Sequence, residues 1–439
     1  MQSKAPAPSS GASQHHLNPP EYSQRYVRRV VVLLVAAVAV EFLHRQLLAI
    51  AVEPIRAELG LSDGQMGWLV TAFALAYAAA VLVLGRIADR TDRRRLYALG
   101  VVVWSVGTAL GGAALGFASF IATRLVVGMG QAAAGATNGP LIADYVPPAR
   151  RATTMGLVAM GATIGVFFGL FLGAAGIGAF GWRITFAVLG ALGLGFAALF
   201  HALVQEPPRG WSEGRTQEAG EQPGLGAALA TIAGLRTFRH LAAGAILANM
   251  ALFAGAQWGP AFFERVHGFT NMQAALAAGG IGLLATLGAV AGGVLIDRMW
   301  GRDARGALLL PGACCAIAFP ASLAAYLSSS AALAVPLLAL GMVLALVHVP
   351  AVGAVTQALA PLRMRGLISA VLNSLLTLFG MGLGPLLAGM VSDATGGDPG
   401  AGLAAGLAWS SGLYLWAALH FALAARTLPA ELARARASS

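Results

Sequence analysis

The chain has 439 residues, 58% of them hydrophobic and only 10% charged, with a net charge of +10 and a mean hydropathy of +0.74. A soluble domain is about a quarter charged, so this chain lacks the polar surface to cover a water-soluble body of its size. In lipid only helices and closed barrels satisfy their backbone groups. Barrel strands read as alternating stretches of about ten residues, whereas the apolar runs here are unbroken and about twenty long, enough to cross a hydrocarbon core.

In chain order, residues 1–24 are rich in Pro, Ser, Ala, Gln and His and read as a disordered tail. The first apolar run begins near Val27 and carries Glu41, His44 and Arg45, which suits a retained helix better than a cleaved signal. Membrane spans are expected over 29–52, 64–86, 96–116, 118–140, 153–176 and 182–204, forming one six-helix bundle within 25–204. A polar linker over 205–239 follows. A second bundle within 240–426 has spans over 240–263, 271–296, 306–327, 331–357, 366–391 and 403–426, with a short tail at 427–439. The expected fold class is thus an all-α membrane protein of twelve transmembrane helices. Cys314 and Cys315 are neighbours in an apolar run and give neither a disulfide framework nor a metal-ligand spacing.

The basic residues set an orientation. Lys4, Arg25, Arg28 and Arg29 precede the first span, and Arg86, Arg90, Arg93, Arg94 and Arg95 lie between the second and third. Arg150, Arg151, Arg209, Arg215, Arg236, Arg239, Arg298, Arg302, Arg305, Arg363, Arg365, Arg426, Arg434 and Arg436 fall on the same side if the spans alternate. The opposite side holds only Arg56, Arg183 and Arg265. Such an excess marks the cytoplasmic face, so both termini are expected there. The positive charge is then topological, and nucleic acid is not an expected partner.

A repeat survives at a fixed offset. Gly60-Leu61-Ser62-Asp63-Gly64-Gln65 precedes the second span, and Gly268-Phe269-Thr270-Asn271-Met272-Gln273 precedes the eighth, 208 positions later. Gly85-Arg86-Ile87-Ala88-Asp89-Arg90 and Gly293-Val294-Leu295-Ile296-Asp297-Arg298 match at the same 208. The halves therefore read as parallel repeats, an arrangement that places a ligand site between them near the midplane. Ser62 with Gln65, and Thr270 with Gln273, fit helix capping boxes.

Gly85-x-x-x-Asp89-Arg90-x-x-Arg93-Arg94 resembles the cytoplasmic signature of the major facilitator superfamily, and Arg124-x-x-x-Gly128-x-Gly130 its helix-four motif. Gly181-Trp182-Arg183 with Phe186 is another frequent feature of that superfamily. Glu53-Pro54-Ile55-Arg56-Ala57-Glu58-Leu59-Gly60-Leu61-Ser62-Asp63-Gly64-Gln65, and Ile142-Ala143-Asp144-Tyr145 before Pro147-Pro148, are similar to its Spinster-like branch. The resemblance implies a secondary transporter working by alternating access, for an amphipathic anionic or zwitterionic lipid such as a lysophospholipid. A proton-linked carrier of small organic anions is the alternative, and a substrate-sensing receptor of the same fold the reading outside transport. A monomer in a bacterial cytoplasmic membrane is expected, with no cofactor. Where the branch has acids that serve as proton carriers, this chain has His44 and Gln131.

An arginine or aspartate at mid-helix costs roughly 2.5–3.5 kcal/mol on insertion scales, so each needs a reason. Glu41, His44 and Arg45 lie at i, i+3 and i+4 and are expected on one face. Arg45 and Arg124, with Gln131 and, from the second half, Asn249, are the candidate substrate-binding residues, since a guanidinium is a fixed fork of donors for an anion. Glu41 and His44 are the candidates for proton coupling. Gly85, Asp89, Arg90 and Arg93, with Asp297 and Arg298, are expected to latch the cytoplasmic ends. Gly161, Gly165, Gly169 and Gly173 recur every four residues and make a smooth packing face. Gly380, Gly382, Gly384 and Pro385 weaken the eleventh helix. No metal-ligand spacing, nucleophile elbow or phosphate loop points to an enzyme.

Overall fold

The computed structural model describes residues 22–213, 224–361 and 364–437, and every regular element among them is helical. Apart from 22–24, the expected N-terminal tail lies outside the described residues, as do Lys4, Arg215, Arg363 and 438–439. The first half contains α1 (Gln24–Ile50), α2 (Val52–Leu59), α3 (Asp63–Ala88), α4 (Arg93–Gly111), α5 (Phe117–Tyr145) and α6 (Pro148–Leu203). The last is 56 residues long but breaks at Gly181, whose φ of 77° is open to glycine without steric cost. Its two parts occupy the fifth and sixth expected spans.

The second half contains α7 (Leu225–Gly234), α8 (Arg236–His267), α9 (Asn271–Trp300), α10 (Gly306–Tyr326), α11 (Ala331–Leu346) and α12 (His348–Leu359). It continues with α13 (Arg365–Leu375), a π-helical stretch over Leu376–Leu383, α14 (Gly384–Thr395) and α15 (Pro399–Ala437). The eleventh span is thus one rod whose glycine-rich middle is wound more loosely than an α-helix. Nine segments among the described residues are long and apolar enough to cross a membrane, with broken α6 counted once; α1 and α4 are outside that set.

The sequence repeat has a structural counterpart. Both capping boxes form: the Ser62 N–H donates to Gln65 Oε1 at 2.9 Å, and the Thr270 N–H to Gln273 Oε1 at 2.9 Å. Gly60 and Gly268, also 208 apart, end α2 and α8 with φ of 64° and 65°.

Two boundaries differ from expectation. The polar linker contains α7, and α8 begins at Arg236 rather than 240. The expected tail at 427–439 instead continues α15 to Ala437. The physical reason is a cap: buried Glu431 accepts the N–H groups of Arg236 and Thr237 at 2.9 and 3.1 Å, placing a carboxylate on the free N-terminal amides of α8.

Gly161, Gly165, Gly169 and Gly173 line the face of α6 that meets α1. A Cβ at Gly165 would stand 2.8 Å from Phe42 Cβ, and one at Gly169 2.8 Å from Leu43 Cα. Both are closer than side-chain carbons approach, so the helices touch backbone to backbone.

The halves are joined mainly at the arginine-poor end. Arg265 of α8 makes a two-pronged pair with Asp63 at 2.7 and 2.8 Å and reaches Glu53 at 2.7 Å. Ser392 Oγ donates to Asp63 at 2.6 Å, and Asn271 donates to the Ile50 carbonyl at 2.9 Å. Asp393 of α14 accepts from Ser62 Oγ and from the N–H groups of Asp63 and Gly64 at 2.7, 2.9 and 2.8 Å. Nearer the middle, Thr71 Oγ1 donates to the Gly382 carbonyl at 2.8 Å.

Candidate functional site

On the inner face of α1, Glu41 and Arg45 form an i, i+4 ion pair at 2.8 Å. Arg45 also donates twice to Gln131 Oε1 of α5, at 2.8 and 3.2 Å, while Gln131 Nε2 donates to the Glu41 carbonyl at 3.1 Å. Gln131 is wholly buried and lines neither of the cavities described below. It orients Arg45 rather than facing a ligand.

His44 departs from the expected shared face. Adjacent helix positions differ by about 100°, and the structure uses that angle: Arg45 points inward while His44 points back between α4 and α6. There His44 Nε2 meets the Leu189 carbonyl at 2.9 Å, and Trp104 Nε1 donates to His44 Nδ1 at 3.1 Å. The ring is 1% exposed and lines no cavity described here. His44 packs; Glu41 and Arg45 face the interior.

Arg124 enters from α5. It is 4% exposed, forms no ion pair with any described residue, and its Nε has no hydrogen-bond partner. Its guanidinium carbon stands 5.2 Å from the centroid of Phe73, and that of Arg45 stands 5.0 Å from the same ring. The negative face of an aromatic ring offsets part of a cation's charge, so Phe73 lets two arginines approach without a second carboxylate. Glu41 balances one of them. One positive charge remains.

That charge borders a cavity of 310 Å³ between the halves. Arg45, Phe73 and Arg124 line it from the first half, and Leu252, Phe253, Gln257, Met342 and Met381 from the second. A second cavity of 370 Å³ shares Phe42, Arg45, Phe253 and Met381 with the first, and adds Glu41, Tyr77, Asn138, Asn249, His348 and Asn373. Asn249, the second-half candidate, donates to the Ala245 carbonyl at 2.8 Å and lies 3.0 Å from His348 Nε2.

The expected latch divides. Asp89, Arg90, Asp297 and Arg298 are exposed at the arginine-rich end and form no ion pair with any described residue. A Cβ at Gly85 would meet nothing within 4 Å. Arg93 is different: buried, it pairs with Asp144 of the first half at 2.6 Å and with Glu206, at the start of the linker, at 3.0 Å. A side chain so occupied ties the linker's start to α5 rather than joining the halves.

Sequence reasoning missed the seal at the arginine-poor end. The available signal was Arg265 itself, one of three basic residues on the side that should have few. In place it needs Glu53 and Asp63 as partners, which are distant in sequence.

Comparison with known proteins places these features in a family. The chain is 28% identical over 384 residues to a hexuronate transporter of Bacillus subtilis, an alignment covering 86% of this chain and 90% of that one. It is 26% identical over 411 residues to an MFS-type efflux pump of Mycolicibacterium smegmatis, covering 90% and 91%. Among solved structures it superposes on a bacterial homolog of the human lysosomal transporter Spinster, in an inward-facing and unoccupied conformation. The TM-score is 0.84 at 26% identity, covering 93% of this chain and 99% of that one. A model of the Major Facilitator Superfamily matches residues 34–385. The two bundles, the apolar helices and the central cavity are those of a secondary transporter, and the chain belongs to the Major Facilitator Superfamily.

Proposed function

We propose that the chain carries an organic anion across the membrane by alternating access, with the anionic group held by Arg124. One observation carries this reading: a buried guanidinium without an ionic partner among the described residues lines a cavity between the halves. A buried charge needs compensation, and a carboxylate or phosphate of the ligand supplies it. Arg45, already bonded to Glu41 and Gln131, takes the supporting position.

For the rest of the ligand, Leu252, Phe253, Met342 and Met381 favour an apolar portion against the second half. That supports the amphipathic reading, with a lysophospholipid as its first candidate. The kinship with a hexuronate transporter supports a small organic anion as the second reading. Of the two proton-coupling candidates, Glu41 faces a cavity and His44 does not, so a proton-linked cycle would run through Glu41.

The seal of Arg265, Glu53, Asp63, Ser392 and Asp393 supports a conformation open toward the arginine-rich side. Under the positive-inside rule that side is cytoplasmic, which makes this the inward-facing state of a cytoplasmic-membrane protein with both termini inside. Thermal unfolding in nanodiscs, with lysophospholipids set against short organic acids, tests the proposal, because a ligand that binds the folded state stabilises it by mass action. Stabilisation by an anion that disappears in Arg124→Ala is expected. Equal stabilisation of the Arg124→Ala variant by every anion would overturn the assignment.

A further inference from the structure

The second cavity contains two hydrogen-bond acceptors whose orientation is already fixed. His348 Nδ1 lies 2.6 Å from the Ala345 carbonyl, which can only accept, so Nδ1 carries the proton of the neutral ring and Nε2 is an acceptor. Asn249 must therefore turn its NH2 toward His348. Its other N–H is used on the Ala245 carbonyl. The amide cannot flip without losing both bonds, and its Oδ1 is left without a partner among the described residues. Glu41 is set in the same way: Arg45 holds Oε1 at 2.8 Å, and Oε2 has no hydrogen bond to any described residue.

Glu41 and Asn249 stand 208 positions apart, the offset of the repeat. Equivalent positions of the two halves thus line a single cavity, and each carries one acceptor oxygen without a partner among the described residues. Arg45 neutralises Glu41, so the compartment offers acceptors without a net negative charge. That suits neutral donors better than ammonium groups.

We infer that this compartment is a hydroxyl-recognition subsite, and that the transported anion carries hydroxyl groups which bridge Glu41 Oε2 and Asn249 Oδ1 while its anionic group sits at Arg124. The inference rests on the anion reading above and extends it to a hydroxylated organic anion. Sugar acids and lysophospholipids with a free glycerol hydroxyl share that chemistry. Bridging the halves also gives the ligand a means of coupling their movement.

The test compares matched anions on the full-length protein in nanodiscs: gluconate with hexanoate, and a lysophosphatidate with its deoxy analogue. The wild type should bind the hydroxylated member of at least one pair about tenfold more tightly, since two hydrogen bonds, one to an amide oxygen and one to a carboxylate already paired with Arg45, contribute that order of preference. The pair that shows the preference identifies the source. Asn249→Leu should cut the ratio to about threefold, the share left by Glu41, while still binding the deoxy anion; a purely structural role for Asn249 would weaken both members alike and leave the ratio intact. A wild-type preference below about twofold in both pairs overturns the subsite without any variant. Tighter binding of an amino analogue than of the hydroxylated anion overturns the hydroxyl assignment. Arg124→Gln should weaken both members of a pair equally. If it leaves them unchanged the anion reading fails on its own, and the hydroxyl ratio still decides the subsite. If no anion stabilises the wild type, both readings fall.

Discussion

Replacing Arg265 with glutamine should open the arginine-poor end. The side chains of Arg265 and Asp63 are 6% and 4% exposed, and their bond crosses from one half to the other. Glu53, 26% exposed, is the second carboxylate on the same guanidinium. Removing one member of a buried pair costs about 3–5 kcal/mol, because the remaining charge is left desolvated and unpaired. Most of that cost falls on the closed arrangement, since an open end lets Asp63 and Glu53 take water instead. At 1.4 kcal/mol per factor of ten, even about 3 kcal/mol moves the closed-to-open ratio by roughly a hundredfold. Spin labels at Ala57 and Ala394, exposed positions of opposite halves, with Cys314 and Cys315 replaced by alanine, would report the distance distribution by pulsed dipolar spectroscopy. A longer-distance population should become dominant in Arg265→Gln. Adding Asp63→Asn should restore part of the short population, because the more deeply buried charge is then gone and only Glu53, 26% exposed, is left unpaired. A ratio that moves by less than about threefold in the single variant would refute the view that this pair holds the end shut.

Three further outcomes follow from the same contacts. Gly169→Ala should lower folded-state stability by about 1–3 kcal/mol, because the new methyl meets Leu43 of α1; an unchanged thermal midpoint would mean that α1 and α6 are not in backbone contact. Hydrogen bonds from Arg183, first, and from Trp182 hold the Glu58 carboxyl on α2 below its ordinary value of 4.5. Its stabilising contribution is therefore complete above that value and lost as pH falls through the lower folded value, so Glu58→Gln should lower stability near neutrality and flatten the profile below pH 4.5, where the gap to the wild type closes. Asp89→Asn should leave thermal stability within about 0.5 kcal/mol, since the residue is exposed and without an ion pair among the described residues, while transport in liposomes slows if Asp89 latches the opposite state. Full transport activity in Asp89→Asn would remove it from the latch.

Features written into local pattern were legible in the sequence. Apolar windows located the helical rods, and the repeat anticipated the capping boxes at Ser62 and Thr270. The break at Gly181 fell between two expected windows because a glycine with positive φ interrupts a hydrophobic run without changing its composition. What depended on packing was less legible. Glu41, His44 and Arg45 share one helical stripe, but whether its edge faces a cavity or a neighbouring helix depends on where Trp104 and Leu189 stand. Arg93 looked like a latch until Glu206, 113 residues away, came within 3.0 Å. The extension of α15 could not be read from its polar end, because the group that justifies it, Glu431, acts on the amides of another helix.

The start of α3 has a consequence of its own. Its free amides are divided between two partners: the local box takes the N–H groups of Ser62 and Gln65, and Asp393, carried on the other half of the molecule, takes those of Asp63 and Gly64. When the halves part, Asp393 must leave and the N–H groups of Asp63 and Gly64 pass to water, yet the local box remains and still holds the first turn. The seal therefore behaves like a plug entering a finished socket rather than a stitch that must be unpicked. A joint of that kind can open and close over many cycles without any residue of the first turn refolding.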